Sequence, residues 1–145
     1  MSFRDFVMVA CVAGTVGLAA QGGDKYTARL GRVPTANARE GEAVTGKGAA
    51  TATLAGNKLT ISGSFEGLTS AATMAQLHRG IARGARGPVI GDLTISKAAS
   101  GTISGAIDLN AEQLGDLKQG KLYVQVHSGK GMAPDGSNLW GWLMK

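Results

Sequence analysis

The chain has 145 residues, 43% of them apolar, which suits one domain with its own core and leaves too little for a second. With 23 glycines and only 5% aromatic residues, that core must be built from Leu, Val, Ile and Ala between many tight turns, which favours short strands over a helical bundle. The formal net charge is +5, and Arg4 and Asp5 cancel within the first twenty residues, so the positive charge belongs to the remainder. A single cysteine, Cys11, excludes an internal disulfide framework.

The N-terminus reads as a secretory signal over residues 1–21. A short charged start, Arg4-Asp5, precedes the apolar run Phe6 to Ala20, and small residues at Gly17-Leu-Ala-Ala20 offer a cleavage site before the polar Gln21-Gly-Gly-Asp24. The run is shorter than the roughly 20 residues that span a bilayer, yet an uncleaved N-terminal anchor touching a membrane through residues 6–20 stays open beside export. The expected location is periplasmic or secreted, with membrane anchoring as the alternative. Once the leader is removed, residues 22–145 form the domain and hold no thiol.

From Tyr26 onward short alternating segments follow one another. Strands are expected at Tyr26 to Leu30, Gly48 to Ala55, Leu59 to Phe65, Thr73 to His78, Val89 to Ile95, Thr102 to Ile107, Leu122 to His127 and Leu139 to Met144. Gly56-Asn57 between two of them is a hairpin turn. The stretch Val33 to Gly46 follows neither period and reads as an exposed loop. The single helical signal runs from Asn110 to Gly120: Asn110 caps, Gln113 answers three residues later, Lys118 lies late, and Gly120 stops the helix. These elements predict an all-β, antiparallel, Greek-key-like β-sandwich with one short connecting helix.

Both histidines occupy strands. Alternation puts Met74, Gln76 and His78 on one face of their strand and Tyr123, Gln125 and His127 on one face of theirs, leaving Leu77, Leu122, Val124 and Val126 to the core. The pair is therefore expected on neighbouring strands or at one end of the domain. Two imidazoles there could hold a metal ion, with a thioether from Met74 or Met132 favouring copper; the bland alternative is a structural pair satisfied by Gln76 or Gln125. Ser128 beside His127 makes no triad, because adjacent strand residues face opposite ways. A dinuclear copper–zinc site would need about six histidines, so that chemistry is excluded on ligand count. No catalytic residues are assigned.

Two surface features remain. Arg79, Arg83 and Arg86 punctuate a glycine-rich loop with no aromatic among them, which points to a solvated loop, an anionic surface or an acidic partner sooner than to nucleic acid. Trp140 and Trp142 share one face of the last strand and would form a partner or membrane contact if that strand were an edge.

Taken in order, Leu30-Gly-Arg-Val-Pro34, Gly46 to Leu54, Leu59 to Leu68, Ala75-Gln-Leu-His-Arg-Gly80, Gly87-Pro-Val89, Leu122-Tyr-Val-Gln-Val-His-Ser128 and Pro134 to Gly141 resemble the CHRD family, the chordin-type domain found in exported bacterial proteins. The resemblance implies an antiparallel β-sandwich and says little about activity. It also shows departures. The family's Ala-His-Ile-His-Gly becomes Ala75-Gln-Leu-His-Arg79-Gly80, so Gln76 replaces the first of two histidines, and Asn138 and Trp140 stand where the closing motif carries Glu and Arg. The resulting expectation is a non-catalytic binding or structural module. Its alternatives are a periplasmic copper-binding protein using His78 and His127, and an accessory subunit of a membrane complex with an unnamed protein partner.

Overall fold

The computed structural model describes residues 23–145 except Ala36, so the expected leader lies outside the described residues. Eight strands follow in the expected places: β1 (Asp24–Arg32), β2 (Lys47–Ala55), β3 (Lys58–Glu66), β4 (Ala72–Arg79), β5 (Val89–Ile95), β6 (Gly101–Asp108), β7 (Leu122–Met132) and β8 (Ser137–Trp142). Two short helices, α1 (Ala38–Ala43) and α2 (Ala111–Lys118), complete the order.

Every strand pair is antiparallel, in the order β1-β2-β3-β6-β5-β4-β7-β8, and β8 returns to β1. The expected sandwich is thus corrected to a closed barrel. The β3-β6-β5-β4 order is a Greek key, with the β4–β6 meander laid back beside β3. Closure rests on few bonds: Gly31 and Arg32 register with Trp140 and Leu139, and the Thr27–Met144 bridge extends the seam. The strands approach closely there, since a Cβ on Gly141 would come within 2.6 Å of the Arg29 carbonyl oxygen. Closing the sheet leaves no free edge.

The barrel interior follows from alternation. Tyr26, Leu30, Ala52, Leu59, Ile61, Leu77, Ile103, Leu122, Val124, Val126, Leu139 and Leu143 form one apolar cluster. The Ala55–Lys58 pair closes the β2–β3 hairpin, and Gly56 supplies the positive φ (63°) at the first turn position. Helix α2 carries both halves of a capping box: Asn110 Oδ1 accepts from Gln113 N–H at 2.8 Å, and Gln113 Oε1 accepts from Asn110 N–H at 3.0 Å. Leu117 fixes it to the core. The Val33–Gly46 stretch is not wholly an exposed loop. It contains α1, with Val33 and Val44 buried on either side, because two well-spaced valines can anchor a turn of helix without producing a periodic pattern.

Candidate functional site

The outer face of β4, β7 and β8 would ordinarily meet solvent. Registers arrange it as three rows: His78–Tyr123–Trp142, Gln76–Gln125–Trp140 and Met74–His127–Ser137. Most of this face is covered. Tyr123, Gln125, His127 and Ser137 are buried, His78 is only 8% exposed, and the two tryptophans are half-buried.

The cover comes from two connections. The first, between β4 and β5, folds back over the sheet, with Gly80 against Trp142 and Gly87 against the Arg79 backbone. Gly87 is required there because a Cβ would lie 1.8 Å from the Arg79 carbonyl oxygen. Its N–H donates to Tyr123 Oη at 3.0 Å, and its carbonyl accepts from His78 Nδ1 at 2.9 Å. The second is the β7–β8 connection, where residues 129–131 loop out so that His127 and Met132 both register with Ser137. The Asp135 carbonyl accepts from His127 Nδ1 at 2.9 Å.

A carbonyl oxygen can only accept, so both Nδ1 atoms carry a proton, and Nε2 is the nitrogen that presents a lone pair whenever the ring is neutral. Each Nε2 is buried without a protein hydrogen-bond partner. The ring centroids lie 6.4 Å apart, with the planes inclined by 28°. His78 also stacks on Tyr123 at 4.9 Å, and Tyr123 packs against Trp142 at 4.4 Å and Trp140 at 5.8 Å. Burial pushes the His78 imidazolium below its ordinary pKa, with His127 and Arg86 acting in the same direction and the Gly87 carbonyl and Asp135 opposing. Burial likewise raises the Tyr123 phenol.

Neither glutamine bonds the histidines. Gln76 Nε2 donates to Asp92 Oδ1 on β5 at 2.9 Å, and Gln125 Nε2 donates to Ser137 Oγ. Met74, directly opposite His127, is 44% exposed. Ser128 turns away to donate to Asn138 Oδ1 at 3.1 Å, and Asn138 in turn donates to the Thr45 carbonyl at 2.7 Å.

The three arginines separate. Arg79 leaves the loop for α2, pairing with Glu112 and Asp116. Arg86 lies over Trp140 at 5.7 Å, donates to Ser137 Oγ at 3.2 Å and faces Asp135 at 3.8 Å. Arg83 is exposed at the loop tip. The loop is therefore less freely basic than its sequence suggests. Nor is β8 an edge: it is paired on both sides, and its tryptophans belong to the cover. Sequence reasoning missed the Gly87 and Asp135 carbonyls, since backbone acceptors leave no trace in residue type. The Gly87-Pro88 pair was the available hint of a tight turn.

The family model of the CHRD domain matches residues 28–135, spanning seven of the eight strands and both imidazoles. The chain belongs to the CHRD family. No curated protein and no solved structure matches it. A CHRD domain is generally a non-enzymatic module. Among the described residues no cluster of three or more His, Cys, Asp or Glu is placed to hold a metal ion. An open groove of about 570 Å³ beside Arg29, Lys47 and Phe65 includes neither histidine.

Proposed function

We propose that this CHRD protein is an exported, non-catalytic binding module whose ligand site is the His78–His127 pair. One observation carries the reading: two buried imidazoles have their Nδ1 protons fixed on backbone carbonyls while both Nε2 lone pairs stay unpaired. A buried polar atom without a partner costs about 1–3 kcal/mol, so an ordinary core has no reason to keep two side by side. A ligand that accepts those lone pairs would remove the cost. The surroundings hold hydroxyls, amides and indoles but no activated nucleophile, which favours holding a ligand over transforming it.

Long-range proton–nitrogen spectra of the full chain test this. Both rings should show the Nδ1–H tautomer with a bare Nε2, and both Nε2 signals should move when ligand is added. Finding Nε2 protonated in either ring would reject the site. Export is tested by intact mass of natively produced protein, which should begin near Gln21 or Gly22; retention of Met1 would point instead to an anchored subunit.

A further inference from the structure

We propose that His78, His127 and Met74 bind a single copper(I) ion on the outer face of β4 and β7. The inference rests on the reading above and names its ligand. An ion held in line between two imidazole nitrogens at about 2 Å from each would set the ring centroids about 6 Å apart, and these rings stand 6.4 Å apart with their planes inclined by 28°. Each ring is already oriented through its other nitrogen by a carbonyl, the arrangement that keeps metal-bound histidines in one tautomer.

The donor set selects the metal. Zinc takes four nitrogen, sulfur or oxygen donors in its structural sites and three protein donors in its catalytic ones. Here there are two imidazoles, with no cluster of three or more His, Cys, Asp or Glu placed for a metal among the described residues. Copper(I) is soft, accepts two or three ligands and favours thioethers. Met74 registers directly opposite His127, on the same face and open to solvent, so its flexible side chain can swing to the ion from the exposed side. Charge argues the same way. The nearby Arg86 and Asp135 offset one another, so the pocket has no net negative charge to offset the desolvation of a divalent ion, and a monovalent one is easier to bury.

The test is competition for Cu(I) against a chromogenic Cu(I) chelator, without oxygen, using the full-length chain. One equivalent should bind, and X-ray absorption should show a two- or three-coordinate ion with nitrogen and sulfur neighbours. His78→Gln and His127→Gln, whose amides can still donate to the Gly87 and Asp135 carbonyls, should each weaken binding at least 100-fold while leaving the unfolding transition cooperative. Met74→Leu should weaken it about tenfold and remove the sulfur signal, and Gln76→His should tighten it by adding an imidazole on the same strand face.

Undiminished Cu(I) affinity in both histidine variants would overturn the proposal. So would a preference for Zn(II) over Cu(I) that is lost in those variants, although that result would leave the imidazole pair as the binding site. No metal binding together with bare Nε2 atoms would overturn the copper assignment alone.

Discussion

Arg86 faces Asp135 at 3.8 Å across the gap between two separate connections, and this contact ties together the two segments whose carbonyls orient the histidines. Gly87 follows Arg86 in sequence and accepts from His78, while Asp135 itself accepts from His127 through its backbone. Burial works against the Asp135 carboxylate, yet the Ser137 hydroxyl and backbone N–H, with His127 and Arg86, hold its pKa below the usual value. One partly exposed ion pair thus braces both halves of the site.

Arg86→Gln should loosen that brace without unfolding the barrel. An exposed ion pair contributes about 0.2–1 kcal/mol and a cation–π contact about 0.5–1 kcal/mol, so a stability loss near 1 kcal/mol is expected. The more telling readout is the rings, which should begin to populate both tautomers. Unchanged nitrogen spectra in Arg86→Gln would show that the carbonyls need no brace.

Gly87→Ala should be far more damaging. Its Cβ would enter the space of the Arg79 carbonyl at 1.8 Å, so the backbone must move. Movement there breaks the bonds to both His78 and Tyr123. A loss of more than about 2 kcal/mol is expected, in the range of core strain and broken buried networks. Thermal unfolding measures it, and a loss below 0.5 kcal/mol, the ordinary span of neutral surface changes, would contradict the close packing of the loop.

The pieces legible in the sequence were those with a period or a cap. Alternation located the strands and put His78 and His127 each on the face of its own strand turned away from the core, and the Asn110–Gln113 pair marked α2. Closure was not legible, because a sandwich and a barrel require the same inward alternation at Leu59, Ile61, Val124 and Val126. What separates them is the pairing of Gly31 with Trp140, a contact between chain ends that no local pattern encodes. The burial of Tyr123, Gln125 and His127 was hidden for a related reason. Those residues look solvent-facing until the Gly80–Pro88 segment and the β7–β8 connection are folded over them.

The capping box gives an independent check of the described geometry. Asn110→Ala removes the acceptor for Gln113 N–H at the start of α2 and should cost about 1 kcal/mol. The neighbouring Asp116, almost fully buried and paired with Arg79, ties the same helix to the end of β4. Chemical denaturation of Asn110→Ala and Asn110→Ser should rank Ser well above Ala, and equal values for the two would rule out a side-chain cap.

Stability should fall as pH drops through the histidine range, and the sign follows from His78. Burial lowers its folded pKa below the unfolded value of 6.5, so the unfolded chain takes up a proton first. The contribution of His78 is therefore complete above pH 6.5, declines below it, and levels off once the folded state also protonates. The slope for one such group cannot exceed about 1.4 kcal/mol per pH unit. The groups facing the ring are Tyr123, His127, Arg86 and Asp135. Of these, Asp135, with its lowered pKa, titrates below this window. Urea midpoints measured between pH 7.5 and 5 should decline in the wild type and decline less in His78→Gln. Parallel declines in the two proteins would mean that His78 is not held neutral by its surroundings, and the argument for a bare, ligand-ready Nε2 would lose its electrostatic support.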